Sequence, residues 1–485
     1  MAGRWSSGTC LPARIGGLRG AVPAALAGLA VVAAPAFAAA EPPAGGAGLS
    51  LLWGLPFAGL LLSIALLPLL AARLWHHHYG KVAAGWALAL LLPFAALAGA
   101  GAAFHLLAHV LLGEYLPFLA LLLALYATGG GVLLRGTLVG TPVTNTALLA
   151  AGMAAASVMG TTGASMLMIR PLLRANAFRR HRTHTVVFFI FLVANLGGSL
   201  TPLGDPPLYL GFLRGVSFFW PVRHLLPPFL FCAGLLLLLY FLLDRRAFAR
   251  EAPMAPALAP HRPLRVEGLV NLALLGVVVG TVLLQGVWQP GRVIVLGQPM
   301  GVERLLAVAV FLAVAWASVR LTPASVREAN GFGWGAMIEV AKLFAAIFVT
   351  MAPVLLILQA GASGAAAPLV ALTEDALGRP VPWVYFWLTG ALSSFLDNAP
   401  TYLVFFELAG GDPAWLMGPG ARILAAISCG AVFMGANSYI GNAPNLMVKA
   451  IAEGQGTPMP SFFGYCGWAA VVLLPVFFLA TLIFF

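Results

Sequence analysis

Apolar runs of spanning length follow one another along nearly the whole chain, and two of them are interrupted in mid-run by sequences that resemble each other. The first interruption is Asn195-Leu-Gly-Gly-Ser-Leu-Thr-Pro-Leu-Gly-Asp-Pro-Pro207. The second is Gly435-Ala-Asn-Ser-Tyr-Ile-Gly-Asn-Ala-Pro-Asn445. They share Gly204/Gly441, Asp205/Asn442 and Pro207/Pro444. Lipid offers no hydrogen bonds, so unwound backbone at membrane depth is tolerated only where protein or a water-filled cavity receives it. A pair of such breaks, one in each half, points to the binding site of a secondary transporter.

Composition removes the soluble alternatives. The chain is 61% hydrophobic and 8% charged, against about 25% charged in a soluble domain. It is expected to be an all-α polytopic membrane protein with the lipid bilayer as its main partner. The formal charge of +11 is not a nucleic-acid signature, because the basic residues sit in loops, as topology requires. Cys10, Cys232, Cys429 and Cys466 have no pairing or ligand spacing, and the last three, in apolar helices, read as small packing residues. Residues 1–40 carry Arg4, Arg14 and Arg19 before an alanine-rich apolar run. This fits a cleaved signal peptide or an extra N-terminal helix. Either way residue 50 falls on the outer side.

Spans are expected near 53–72, 82–103 and 114–134. A small-residue segment, 141–176, turns at Gly160-Thr-Thr-Gly-Ala-Ser165. The broken run 184–220 and a leucine-rich run, 224–243, complete a first transporter repeat over 50–243. A polar linker, 244–266, follows on the cytoplasmic side. The second repeat, 267–485, has spans near 268–288, 302–320 and 336–360. Its turning segment, 382–409, bends at Ser393-Ser-Phe-Leu-Asp-Asn-Ala-Pro-Thr401. The broken run 421–447 and a final run, 463–485, close it. Gly163 precedes Gly204 by 41 residues and Asn398 precedes Gly441 by 43, so bend and break recur at nearly equal spacing.

Charge decides whether the turning segments cross or return. If each is a re-entrant hairpin, five spans separate them and the second half is inverted. Sixteen basic residues then fall inside (Arg73, Lys81, Arg135, Arg170, Arg174, Arg179, Arg180, Arg182, five linker arginines, Arg320, Arg327, Lys449). Six fall outside (Arg214, Arg223, Arg292, Arg304, Arg379, Arg422). That bias is the one topology requires. The expected fold is two inverted repeats of five spans, each with a re-entrant hairpin and a broken helix.

Most acids lie at span ends or in loops (Glu114, Asp244, Glu251, Glu267 and Glu303 among them) and read as solvated interfacial charge. Glu407 also reads as interfacial. Asp205 and Asp397 differ, since both fall at breaks near mid-depth, where a charge costs several kcal/mol unless paired, hydrated or protonated. The plain alternative for either is the cap of a half-helix. Around them lie Thr161, Thr162, Ser165, Asn195, Ser199, Thr201, Ser393, Ser394, Asn398, Thr401, Asn437, Ser438, Asn442 and Asn445. Neutral oxygens with a carboxylate and unwound carbonyls suit a small hard cation such as Na⁺. No Cys/His set suits a transition metal, and His76-His77-His78 reads as an interfacial patch. Glu339 and Lys342 stand three apart on one helix and can meet, either as a neutralised packing pair or as a proton-linked pair. None of the three lysines completes a phosphate-binding loop, so transport must run on ion gradients or substrate flow, with no cofactor.

At these motifs the chain resembles the ion transporter superfamily, which includes NhaD-type sodium/proton antiporters, citrate and dicarboxylate carriers and ArsB-type arsenite permeases. It looks most like bacterial proteins described as NhaD-like antiporters or citrate transporters. The resemblance covers roughly residues 50–485. It is carried by Ser394-Phe-Leu-Asp-Asn-Ala-Pro400, Gly197-Gly-Ser-Leu-Thr-Pro-Leu-Gly-Asp-Pro-Pro207 and Ile440-Gly-Asn-Ala-Pro-Asn445. It implies binding roles for Thr162, Gly163, Thr201, Gly204 and Asp205, and for Asp397, Asn398, Asn437, Gly441 and Asn442. It also implies a bacterial inner-membrane location and a homodimer. The dicarboxylate carriers place Ser-Asn-Thr at both hairpin tips; Thr-Thr-Gly-Ala-Ser and Leu-Asp-Asn-Ala-Pro-Thr stand here instead.

Two readings follow. In sodium/proton antiport, Asp397 binds Na⁺ or H⁺ in competition, helped by Asp205, with Glu339 and Lys342 as further proton-linked candidates. Partial burial and a second acid both favour proton retention near neutral pH. In cation-coupled citrate or dicarboxylate import, half-helix N-termini favour the anion, but two aspartates repel it until cations bind. Arsenite efflux lacks a soft thiolate in the site. A non-transporting scaffold leaves the duplicated breaks without a reason.

Overall fold

The computed structural model describes residues 48–251 and 263–485. Residues 1–40, expected to be a signal peptide or extra helix, lie outside the described residues, as do residues 252–262 of the linker. Among those described, helix dominates. The only ladders are two antiparallel ribbons, β1 (Leu133–Arg135) with β2 (Arg265–Glu267) and β3 (Arg292–Val295) with β4 (Gln298–Gly301). The chain is an all-α polytopic membrane protein.

Ten described helices are long and apolar enough to cross a membrane. They differ from the ten expected spans at two places. Pro142–Met159 qualifies by length, and Ala421–Asn437 is too short because its helix stops at the second break. Length alone does not make Pro142–Met159 a crossing. Its partner Thr161–Ala175 returns beside it, and the two are tied at their far ends by reciprocal amide bonds between Asn145 and Asn176, 2.9 and 2.8 Å. Gly140 N–H adds a bond to Ala175 O at 2.8 Å.

The local sequence sets this hairpin. Thr141 caps the first arm, accepting from Thr144 N–H at 3.2 Å, and Pro142 stands at the first helical position, where its missing N–H costs nothing. The turn falls on Gly160, whose φ of +79° is open to glycine at no steric cost. The second hairpin, Pro382–Phe395 and Asn398–Leu408, likewise starts on proline. Its arms meet again where the Tyr385 and Phe405 rings lie 6.4 Å apart.

Both apolar runs break where expected. Thr183–Leu192 gives way to a 3-10 turn, Leu196–Leu200, and resumes as Pro206–Leu213. Ala421–Met434 gives way to Gly435–Asn437 and resumes as Ala443–Gly454. The breaks are bonded alike. Thr201 Oγ1 donates to Ser157 O, and Ser438 Oγ donates to Ser394 O. Each hydroxyl also accepts a backbone N–H at 3.2 Å, from Leu203 and from Ile440. One shift of 237 residues relates every member of the first set to the second.

The halves interlock. Pro206–Leu213, from the first break, packs on Asn398–Leu408 of the second hairpin. Ala443–Gly454, from the second break, packs on Thr161–Ala175 of the first. Thr183–Leu200 is the most enclosed run, 89% buried. This arrangement brings both hairpin tips to both breaks.

Ion pairs sort by side as the loop charges do. Arg135 pairs with Glu267 at 2.8 Å, and Arg179 with Asp244 at 2.6 Å. All four belong to the expected inner face. At the opposite face Arg214 bridges Glu114 at 2.9 Å and Glu407 at 2.7 Å. Two acids read as solvated are not. Asp244 is fully buried against Arg179, His184 and Asn145. Glu407 is 1% exposed, held by Arg214 and Gln359. Each has a cation supplied by a distant segment, which offsets the desolvation that sequence position alone does not reveal.

Candidate functional site

A cleft opens between the tips, the breaks and two spans. The first tip gives it Gly160, Thr161, Thr162 and Gly163, and the first break gives Gly204 and Asp205. Asp397 comes from the second tip and Asn442 from the second break. Its walls are apolar, with Leu121, Leu122 and Leu125 on one side and Met337, Val340 and Phe344 on another. No basic side chain lines it. The wall residues lie on the span halves nearest Arg135 and Arg327, so the cleft runs from the tips toward the basic face.

Asp205 is the hub. It is 2% exposed and starts Pro206–Leu213, yet its side chain caps nothing. Its Oδ1 accepts from Thr161 Oγ1 at 3.0 Å and from Asn442 Nδ2 at 3.4 Å. Its Oδ2 accepts a short bond from Asn398 Nδ2. Thr161 N–H also donates to Gly204 O at 2.9 Å, which pins tip to break. Thr161 and Asn398 are related by the 237-residue shift. The two tips therefore offer equivalent positions to one carboxylate.

Asp397 is half-buried and does cap a helix, accepting from Ala399 N–H at 3.0 Å. The capping alternative therefore describes Asp397 and not Asp205. A capping carboxylate uses one oxygen in this bond and keeps the other, so capping and facing the cleft are compatible. Asn442 Nδ2 also reaches Ala194 O at 3.1 Å and Asn195 Oδ1 at 3.3 Å. Asn195 Nδ2 in turn donates to Asn445 Oδ1 at 2.8 Å across the two breaks. Asn398 Oδ1 and Ser165 Oγ are buried without a hydrogen-bond partner among the described residues.

Several expected site residues stand elsewhere. Thr201 is turned to Ser157 and holds the first break. Asn437 donates to Ser394 Oγ at 2.9 Å and faces a separate cavity with Trp387, Phe395 and Cys466. Gly441 closes backbone to backbone on Gly435 and Ser393. Glu339 and Lys342 form no ion pair with each other. Lys342 is exposed, with Nζ 5.4 Å from the Tyr79 ring centroid. Their helix turns Ala336, Met337, Val340 and Phe344 to the cleft instead. Spacing of three allows contact but does not choose the face.

Sequence reasoning missed the walls. Leu121, Leu125, Val340 and Phe344 are ordinary span residues with no distinguishing pattern. Tyr209 was open to detection, lying one helical turn past Asp205 on the same short helix.

A family model described as "Putative citrate transport" matches residues 46–485. The chain belongs to that family. With its membrane-spanning helices, membership in the citrate-transport family makes it a transporter and not an enzyme. No curated protein matches it.

Proposed function

We propose that this member of the citrate-transport family is a sodium/proton antiporter whose cation site lies where Asp205, Asp397, Asn398, Thr162 and Asn442 surround the deep end of the cleft, at the hairpin tips. One observation carries the reading. Two carboxylates meet hydroxyl, amide and backbone oxygens in a cleft that no basic side chain lines. Hard oxygens with net negative charge are what Na⁺ takes, and the unpartnered Asn398 Oδ1 adds an acceptor beside Asp205. A proton on either carboxyl removes the charge that holds the ion, so the two cargoes exclude each other. Gly204 lets the first break close on Gly198 beside Asp205, as Gly441 does for the second break on Gly435; Gly163 lines the cleft at the first tip. In this reading 50–243 and 267–485 are inverted repeats joined by a cytoplasmic linker, 244–266, in a bacterial inner membrane.

A dye-quench assay in everted vesicles, adding Na⁺, Li⁺ and K⁺ in turn, tests the proposal. Sodium- or lithium-dependent proton release supports it; no response to any of the three contradicts it.

The family description favours a second reading, cation-coupled carriage of citrate or a dicarboxylate. Here cations neutralise the aspartates first and the anion follows. Radiolabelled citrate uptake in proteoliposomes, strictly dependent on a sodium gradient, would select it over antiport.

A further inference from the structure

The basic face toward which the cleft runs carries several arginines, none of them lining the cleft itself, and their bonding is unequal. Arg135 pairs with Glu267 at 2.8 Å. Arg174 donates to Leu134 O at 2.8 Å. Arg327 donates to Ala127 O at 3.2 Å and to Ser318 Oγ at 2.8 Å, and its guanidinium lies 4.6 Å from the Phe332 ring centroid. Arg179 is held by Asp244. Arg179 and Arg327 each also keep a buried Nε without a partner, but both are bonded through their other nitrogens; Arg170 makes no side-chain hydrogen bond or ion pair among the described residues. It is half-buried, and its Nη1 is buried with no hydrogen-bond partner among the described residues. No described acid pairs with it.

Its position is equally specific. Thr162, Met166 and Arg170 are spaced four apart on Thr161–Ala175 and share one helix face. Thr162 lines the cleft. Met166 packs with Tyr126 and Met337, which also line it. Arg170 is the next member of the stripe, about 12 Å along the helix from Thr162. Its Nη2 occupies the space that a side chain at Gly331 would fill, and Gly331 holds a φ of +58° that suits glycine. The backbone is thus shaped around a guanidinium that finds no acceptor in the protein.

We infer that Arg170 is an anion-docking residue at the inner mouth of the cleft, and that it receives a carboxylate of a small di- or tricarboxylate. A buried, unpaired N–H donor carries a desolvation cost that a ligand acceptor removes. A guanidinium fork matches the two oxygens of a carboxylate. Arg174, one turn further, adds positive charge and keeps its own bond to Leu134. The aspartates deeper in the cleft repel the anion, so docking holds it at the mouth until cations occupy the tips. This inference deepens the second reading of the function and rests on it for the identity of the anion.

Isothermal titration of citrate into the detergent-solubilised full chain, in sodium-free buffer, tests it. Because no gradient or sodium is present, the outcome is separate from whether sodium is the coupling ion. Wild type is expected to bind citrate, with Arg170→Gln weakening it roughly 10-fold to 100-fold, the equivalent of one charge-assisted hydrogen bond. Arg170→Lys is expected to recover part of the loss. Arg223→Gln, which removes the same charge from the opposite face, should leave the affinity unchanged. Where Arg170→Gln lowers the yield of folded protein, Gly331→Ala carries the test, since it displaces the guanidinium and keeps its charge. No citrate binding by wild type, equal binding by both Arg170→Gln and Gly331→Ala, or equally tight binding of inorganic phosphate would overturn the assignment.

Discussion

Thr161 and Asn398, one at the tip of each hairpin, donate to opposite oxygens of the same carboxylate, that of Asp205. The tips thus converge on a group that belongs to only one of the two breaks. At the equivalent position the second break carries Asn442, which donates where an aspartate would repel. The asymmetry lets the two halves close on one buried charge.

Thr161→Val removes a donor and leaves a buried carboxylate oxygen with only the 3.4 Å contact to Asn442. The expected cost is about 1–3 kcal/mol of stability. It would be read as a lower midpoint of thermal unfolding in detergent, with Thr161→Ser restoring most of it.

Acid should weaken sodium binding. A protonated carboxyl offers no charge to the cation, so the apparent Na⁺ affinity falls by up to about tenfold per pH unit once the medium is more acidic than the site's own proton affinity, and levels off above it. Half-maximal Na⁺ concentrations from dye dequenching across the neutral range give the slope. Asp397→Asn should flatten it.

Gly441 has no room for a side chain. A Cβ there would stand 2.6 Å from Gly435 O and 2.7 Å from Ser393 O, both backbone. Gly441→Ala should therefore open the second break and abolish transport or folding. Gly234→Ala, with nothing within 4 Å, should behave as wild type in yield and size-exclusion profile.

The Arg179–Asp244 pair is fully buried. Arg179→Gln leaves Asp244 with His184 and Asn145 but without its guanidinium, and should cost about 3–5 kcal/mol. Adding Asp244→Asn should recover part of the loss, as seen in thermal unfolding of the single and double variants.

Much of this was legible beforehand because membrane-embedded sequence is constrained. Glycine and proline inside apolar runs have few permitted meanings, so both breaks and both bends fall where the residues place them. Spacing also told of the repeat, and the structure refines it. Thr161 precedes Gly204 by the same 43 residues that separate Asn398 from Gly441, so the true equivalent of Asn398 is Thr161 and not Gly163. What remained hidden depends on side-chain direction. Thr201 and Asn437 are polar and correctly spaced, but turn to structural partners. Lys342 has the reach to meet Glu339 and lies over Tyr79 instead. Burial of Asp244 and Glu407 depended on arginines 65 and 193 residues away in sequence.

The most direct measurement compares wild type and Asp397→Asn in proteoliposomes, following internal pH as a sodium gradient is imposed. The cation-site account expects sodium-driven proton movement in wild type and none in the variant, with both proteins equally folded. Wild-type exchange persisting in Asp397→Asn would contradict it.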